Sequence, residues 1–199
     1  INNKEEFNIS VISMSLGGGL YTDYCDDDPL AVDINEAVGV GIAVVVSSGN
    51  SGSTTSIAAP ACVRNATAVG SIRKNDATIN YNRNALVNLV APGYLINSTS
   101  VSGGYTISSG TSMATPHVAG AFAILAQYLN STNQNKGAKE MEEVFNLSGK
   151  RVYDSGSGLN YSRIDVYSAL IRSDVDAPEV VLFNPGNATR TSGVNVSFR

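Results

Sequence analysis

The chain has 199 residues, 43% of them hydrophobic, which is enough for one sizeable globular domain. A formal net charge of -4, with only 13 basic residues and no Lys/Arg cluster, argues against a nucleic-acid partner. No apolar run approaches the roughly 20 residues of a membrane-spanning helix.

Residues Ile9 to Leu16 are rich in β-formers and run into Gly17-Gly18-Gly19, so a strand followed by a tight loop is expected there. From Pro29 the period changes to that of a helix, with Leu30, Ile34, Ala37 and Val38 on one side and Gly39 and Gly41 closing it. Ile42 to Val46 is a continuous apolar run, as a strand buried on both faces of a parallel sheet requires. Strand, helix, strand is a right-handed crossover, and it places the chain in the α/β class. Ser15-Leu16-Gly17 and Ser47-Ser48-Gly49-Asn50 then lie at the carboxyl ends of two strands, the edge at which open α/β sheets do their chemistry. Further strands are expected at Ala66 to Ile72, at Leu86 to Val90 and at Tyr105 to Ser108.

Gly110-Thr111-Ser112-Met113-Ala114-Thr115-Pro116-His117-Val118-Ala119-Gly120 then opens a helix that extends to about Leu129. Pro116 is tolerated in the first turn, where no intrahelical N–H bond is lost. Val118, Ala119 and the run from Ala121 to Ala126 leave almost no polar face, which predicts a buried helix. Ser112 at its start sits among unpaired N–H groups at the positive end of the helix dipole, where a developing negative charge is stabilised. Ala138 to Leu147 suits an amphipathic helix and Ile164 to Ile171 a short terminal one. Residues 173–178 read as a linker, and 179–199 as the opening strands of an immunoglobulin-like β-sandwich, so the chain is expected to be part of a longer polypeptide.

The eleven residues from Gly110 to Gly120 resemble the serine-bearing signature of the subtilisin-like proteases, the subtilases. The resemblance extends in the family's order over about residues 8–172. Val11 to Gly18 resembles the segment that pairs with substrate backbone and walls the specificity pocket, and Val44 to Asn50 resembles the segment ending in an oxyanion-binding asparagine. What this implies is a subtilisin-like three-layer α/β fold with a mostly parallel sheet, spanning 1–172, and a serine endopeptidase acting on polypeptides. Ser112 is the implied nucleophile and Asn50 the implied oxyanion donor. Ser15, Leu16, Gly17, Ser47, Ser48, Gly49 and Ala58 are the implied substrate-binding positions, and none of them is charged.

The chain departs from the family in lacking the Asp and His motifs that precede this region. A serine hydroxyl needs a base, and the base an orienting acid. His117, the only histidine, lies five residues after Ser112, about 140° around the helix and about 7.5 Å along it. It therefore reads as a packing and hydrogen-bonding residue, and the acid and base are expected from an upstream half of the same domain.

The family arrangement also places the loops carrying Cys25 and Cys62 against one pocket, implying a disulfide that fits an oxidising, extracellular or cell-surface setting. Two inert thiols or a metal pair are the alternatives. Eight Asn-x-Ser/Thr patterns, at Asn8, Asn65, Asn97, Asn130, Asn146, Asn160, Asn187 and Asn195, agree with export. No cofactor is required by this chemistry. Calcium is a candidate structural ion, with carbonyls near Pro60 and Cys62 and the Asn88 side chain as its oxygen set. The acidic residues Asp23, Asp26, Asp27 and Asp28 suit a helix N-terminus. Two rival readings remain: a catalytically inactive surface or adhesion protein of subtilase descent, and an α/β-hydrolase esterase. The second wants Gly-x-Ser-x-Gly, whereas the residue two after Ser112 is Ala114.

Overall fold

A computed structural model of the chain describes residues 1–75 and 81–174. It opens with α1 (Lys4–Phe7), β1 (Val11–Met14), β2 (Gly18–Tyr21), α2 (Ala31–Gly39) and β3 (Ala43–Ser47). Next come β4 (Ile57–Ala59), β5 (Thr67–Ile72) and β6 (Leu89–Pro92), then the hairpin of β7 (Ile96–Thr99) and β8 (Tyr105–Ser108). The long α3 (Thr111–Ser131), α4 (Ala138–Ser148), β9 (Lys150–Asp154), β10 (Leu159–Arg163) and α5 (Val166–Ser173) complete the described chain.

Six strands make the main sheet in the order β1-β3-β5-β6-β10-β9, parallel throughout except for β9 at its edge. The continuous apolar run of β3 is explained by burial on both faces. Ala43 and Val45 pack with Val69, Leu89 and Ala91 on the α3 side, while Val44 and Val46 pack with Ile34 and Ala37 of α2 on the other. With α4 and α5 joining α3, the result is the expected three-layer α/β arrangement.

Several local expectations are corrected. Gly17 to Gly19 do not simply form a tight loop: Gly18–Tyr21 is an exposed strand that pairs antiparallel with Ile57–Ala59. The β9–β10 hairpin lies where no strand was expected, between the helices at Ala138 and Ile164, and β7 is likewise additional. Strand β6 begins later than Leu86 and runs through Pro92, the proline at its far end.

α3 is buried on one face only. Ala114, Val118, Ala121, Phe122, Leu125 and Leu129 face the core, with Phe122 against Phe145 of α4 at a ring separation of 5.1 Å. Pro116, His117, Gly120, Ala123 and Ile124 face outward, because the sheet, α4 and α5 cover a single side of the helix. Apolar composition all round a helix permits full burial but supplies no second surface to achieve it.

Among the described residues no helix is long and apolar enough to cross a membrane. α5 ends at Ser173, and the expected β-sandwich at 179–199 lies outside the described residues, as does the linker beyond Asp174.

Candidate active site

Parallel β1 and β3 end side by side at one rim of the sheet, so the residues that follow each strand become neighbours. Ser47 Oγ donates to the Leu16 carbonyl at 3.0 Å, which ties the two strand ends together. β2 then turns across β4 with Gly18 opposite Ala59, while the Ala58 N–H donates to the Ser48 carbonyl at 2.8 Å. These bonds gather Leu16, Gly17, Ser47, Ser48, Gly49 and Ala58 around one uncharged wall.

Gly110 introduces α3 with a φ of 154°, and a β-carbon there would stand 3.2 Å from both heteroatoms of the Asn50 carboxamide. Such a backbone and such a close approach suit glycine. It puts Thr111 at the first helical position and Ser112 at the second, so Ser112 is inside the helix rather than its cap. Ser112 Oγ lies 3.5 Å from the Ser15 carbonyl, and Ser15 Oγ donates to the Ser112 carbonyl at 2.9 Å. β1 is thereby held against the first turn of α3.

Asn50 is fixed by its oxygen. Oδ1 accepts from the Thr111 N–H at 2.9 Å and from Thr111 Oγ at 3.0 Å, while the same Thr111 oxygen accepts from the Gly49 N–H at 3.2 Å. The carboxamide is anchored on the residue immediately before Ser112, and among the described residues its NH2 end has no hydrogen-bond partner. At the helix start the Thr111 N–H is used by Asn50 and the Met113 N–H by the Gly110 carbonyl at 3.1 Å, which leaves the Ser112 N–H without a partner among the described residues. Two unpartnered N–H donors from separate parts of the chain thus accompany one exposed hydroxyl. Chemically, this arrangement suits a nucleophile whose product is an oxyanion.

Beside it lies an open hollow of about 380 Å³, lined by Ile96, Asn97 and Ser98 of β7 and by Ser112, Met113, Pro116 and His117 of α3. His117 is exposed, and its Nδ1 lies 2.8 Å from the Met113 carbonyl. A carbonyl oxygen only accepts, so that nitrogen carries the proton. The expected hydrogen-bonding role is met, whereas the expected packing is not, since this face of α3 is open.

Cys25 and Cys62 form a disulfide with a Cα separation of 5.3 Å, both fully buried, and the Cys25 N–H donates to the Cys62 carbonyl at 3.1 Å. Of the acidic residues ahead of α2, Asp28 accepts from the Leu30 N–H at 2.9 Å, and Asp26 pairs with Arg64 at 3.2 Å. The oxygens sketched for calcium each accept one hydrogen bond within the protein. Asn88 Oδ1 accepts from the Ala68 N–H and its amide donates to Glu142, while the Pro60 and Cys62 carbonyls accept from the Val63 and Cys25 N–H groups. No group of three or more His, Cys, Asp or Glu suited to a metal occurs among the described residues.

The family model described as the subtilase family matches residues 1–183. The chain belongs to the subtilase family. It is 34% identical over 161 residues to thermitase of Thermoactinomyces vulgaris, a match covering 80% of this chain and 53% of that one. To the thermophilic serine proteinase of Bacillus sp. (strain AK1) it is 34% identical over 161 residues, covering 80% of this chain and 37% of that one. Against a cold adapted subtilisin-like serine proteinase of known structure the TM-score is 0.63 at 34% identity, covering 78% of this chain and 56% of that one. The prenylagaramide maturation protease PagA superposes with a TM-score of 0.76 at 20% identity, over 88% of this chain and 66% of that one, and shows the shared fold. The chain spans between about a third and about half of these curated relatives' length.

Two residues that sequence reasoning left without a role matter to this geometry. Thr111 joins Asn50 to α3, and its place inside the Gly-Thr-Ser run is a signal that was available. Asn82 grips the loop that carries Asn50, and nothing in its neighbourhood in the sequence announces that.

Proposed function

We propose that this chain carries the nucleophile and the oxyanion site of a serine endopeptidase. Ser112 Oγ attacks the carbonyl carbon of a peptide bond, and the resulting oxyanion is received by the Asn50 NH2 group and the Ser112 N–H. A base takes the hydroxyl proton and returns it to the leaving amine. The base and its orienting acid come from a segment outside these 199 residues, since His117, the only histidine, lies five residues beyond Ser112 on α3, about 140° around the helix and about 7.5 Å along it. The outward, largely apolar stripe of α3 that includes Pro116, Ala123 and Ile124 is the face on which that segment packs.

Ser15, Leu16, Gly17, Ser47, Ser48, Gly49 and Ala58 form the substrate wall, with β2 offering its exposed backbone to an extended polypeptide. An uncharged wall favours apolar or mixed side chains before the scissile bond. The reaction needs no cofactor. The Cys25–Cys62 disulfide behind the wall suits an exported enzyme working outside the cytoplasm. In the parent polypeptide, residues 1–172 belong to the catalytic domain.

The observation that carries this reading is the Asn50 carboxamide, held by its oxygen on Thr111, the residue before Ser112, with no hydrogen bond on its NH2 end among the described residues. It is tested in the full-length polypeptide with a chromogenic peptide substrate. Ser112→Ala should abolish turnover and covalent labelling by a fluorophosphonate, and Asn50→Ala should lower kcat by about 10²- to 10³-fold with little change in KM. Retention of hydrolysis by Ser112→Ala refutes the assignment, and an inert full-length wild type favours the catalytically inactive alternative.

A further inference from the structure

We infer that Arg83 and Asp154, which lie outside the site, are positioning residues for the oxyanion donor Asn50. The inference rests on the reading of Asn50 given above. Asp154 is 1% exposed and Arg83 13% exposed at the side chain, so this is a buried ion pair. Both carboxylate oxygens are engaged by the guanidinium, Oδ2 by Nε and Oδ1 by Nη2 at 3.3 Å, while Nη1 donates to the Tyr81 carbonyl at 2.9 Å. The carboxylate also accepts from the Gly156 N–H at 3.2 Å, the Ser157 N–H at 3.0 Å and Ser157 Oγ at 2.7 Å. The Arg83 backbone is therefore locked to the turn of the β9–β10 hairpin at the sheet edge.

Residues 82 and 83 hold both feet of the loop that carries Asn50. At its start, Ser48 Oγ donates to the Asn82 carbonyl at 2.7 Å and the Asn82 N–H donates to the Gly49 carbonyl at 3.0 Å. At its end, the Ser53 N–H donates to Asn82 Oδ1 at 3.2 Å and the Arg83 N–H donates to the Ser53 carbonyl at 2.9 Å. Inside the loop, Gly49 has a φ of 101°, and a β-carbon there would stand 2.5 Å from Asn82 Nδ2. Asn50, exposed at the crest, touches the rest of the protein through Thr111, while the frame from which it projects is set by Asn82 and Arg83.

A buried ion pair is a weak source of stability, because desolvating two charges offsets most of their attraction. Its specific product here is geometry. As a unit the pair carries no net charge, so it acts on Asn50 through the backbone rather than through a field. A donor displaced by about 1 Å from a developing oxyanion costs up to roughly 10²-fold in rate, so a loosened loop should appear in kcat.

The test is a double-mutant cycle in the full-length protease, with the fraction of competent sites counted by fluorophosphonate titration. Arg83→Met should lower kcat roughly 10-fold with KM within about twofold, and should weaken a peptide boronic acid, whose tetrahedral adduct uses the oxyanion site, by a similar factor while leaving product-peptide affinity unchanged. In an Asn50→Ala background the same substitution should change kcat by less than about twofold, because the group it positions is gone. If Arg83→Met does not fold, Arg83→Lys and Asp154→Asn are read in the same cycle. An equal loss with and without Asn50, or an unchanged kcat in folded enzyme, overturns the inference. If Asn50→Ala and Ser112→Ala leave kcat unaffected, it is the proposed function that fails.

Discussion

Thr111→Val is the sharpest perturbation of the oxyanion side, since it replaces a hydroxyl by a methyl at a position with 0% exposure. Thr111 Oγ donates to Asn50 Oδ1 at 3.0 Å and accepts from the Gly49 N–H at 3.2 Å. Valine removes both bonds, leaves the Gly49 N–H unpartnered in a part-buried position, and leaves Asn50 with one anchor, the Thr111 N–H at 2.9 Å. An orphaned buried donor costs about 1–3 kcal/mol, so Tm should fall by roughly 4–8 °C for a loss near 2 kcal/mol in a domain of this size. The more telling effect is on turnover. A carboxamide held at one point rather than two pivots, and kcat should fall about 10-fold with KM nearly constant. Thr111→Ser is the control: it keeps the hydroxyl, loses one methyl at about 1 kcal/mol, and should retain kcat within about threefold. Steady-state hydrolysis of a peptide anilide by the full-length enzyme, beside calorimetric Tm values, measures both. A valine variant that loses stability while kcat stays at the serine variant's level would show that Asn50 does not depend on this hydroxyl.

The disulfide closes a sequence separation of 37, for which chain entropy gives about 4 kcal/mol; intact-mass analysis after alkylation without reduction should find neither cysteine labelled, and reduction should lower Tm steeply. Asp154 gives a pH signature. Burial raises its pKa, but the hydrogen bonds from Arg83, Ser157 and Gly156 and the Arg83 charge outweigh that, leaving it below the ordinary aspartate value. A depressed folded-state pKa contributes stability that is fully present above the unfolded value of about 3.9 and is lost as pH falls through the folded one, so a Tm profile should drop on the acid side below about pH 4. Asp154→Asn should flatten that limb, and an unaltered slope would contradict the reasoning. The 199-residue chain expressed alone should give no covalent adduct with a fluorophosphonate, because its only histidine, His117, sits about 140° around α3 from Ser112 and about 7.5 Å along it; ready labelling of Ser112 in that chain would show that it needs no outside base.

Burial on two faces made part of the fold legible. Ala43–Ser47 and Thr67–Ile72 are buried at every position, and a strand enclosed between helix layers reads as a largely apolar run, with Thr67 and Ser71 as the polar positions of the second. β9 and β10 gave no such run, because Lys150–Asp154 and Leu159–Arg163 lie at and next to the sheet edge and each has only two buried positions. Their hold on the fold comes partly from the Arg83–Asp154 pair across 71 residues of sequence, which no local pattern contains. β2 was missed for a related reason. Its Gly18-Gly19-Leu20-Tyr21 is wholly exposed and pairs with three residues far along the chain, so neither propensity nor alternation marks it as a strand.

At the proposed site, the residues proposed to face a substrate stand in short motifs of the sequence, and the residues that hold them do not. A nucleophile at a helix start and an amide at a strand end are each constrained by what they present outward, and that constraint is written into short runs such as Gly110 to Gly120. The bonds that orient them join positions 61 apart, from Asn50 to Thr111, and 34 apart, from Ser48 to Asn82. These are side-chain to backbone contacts, and a backbone partner imposes no residue type on the position that supplies it. Asn82 illustrates the point: its carbonyl and N–H do half of its holding, and any residue but proline supplies both. Its side chain adds the Ser53 contact and fills the space under Gly49, which is a requirement of shape rather than of chemistry. Substituting Asn82 should therefore disturb Asn50 in proportion to side-chain volume and amide geometry, with Asp tolerated better than Leu.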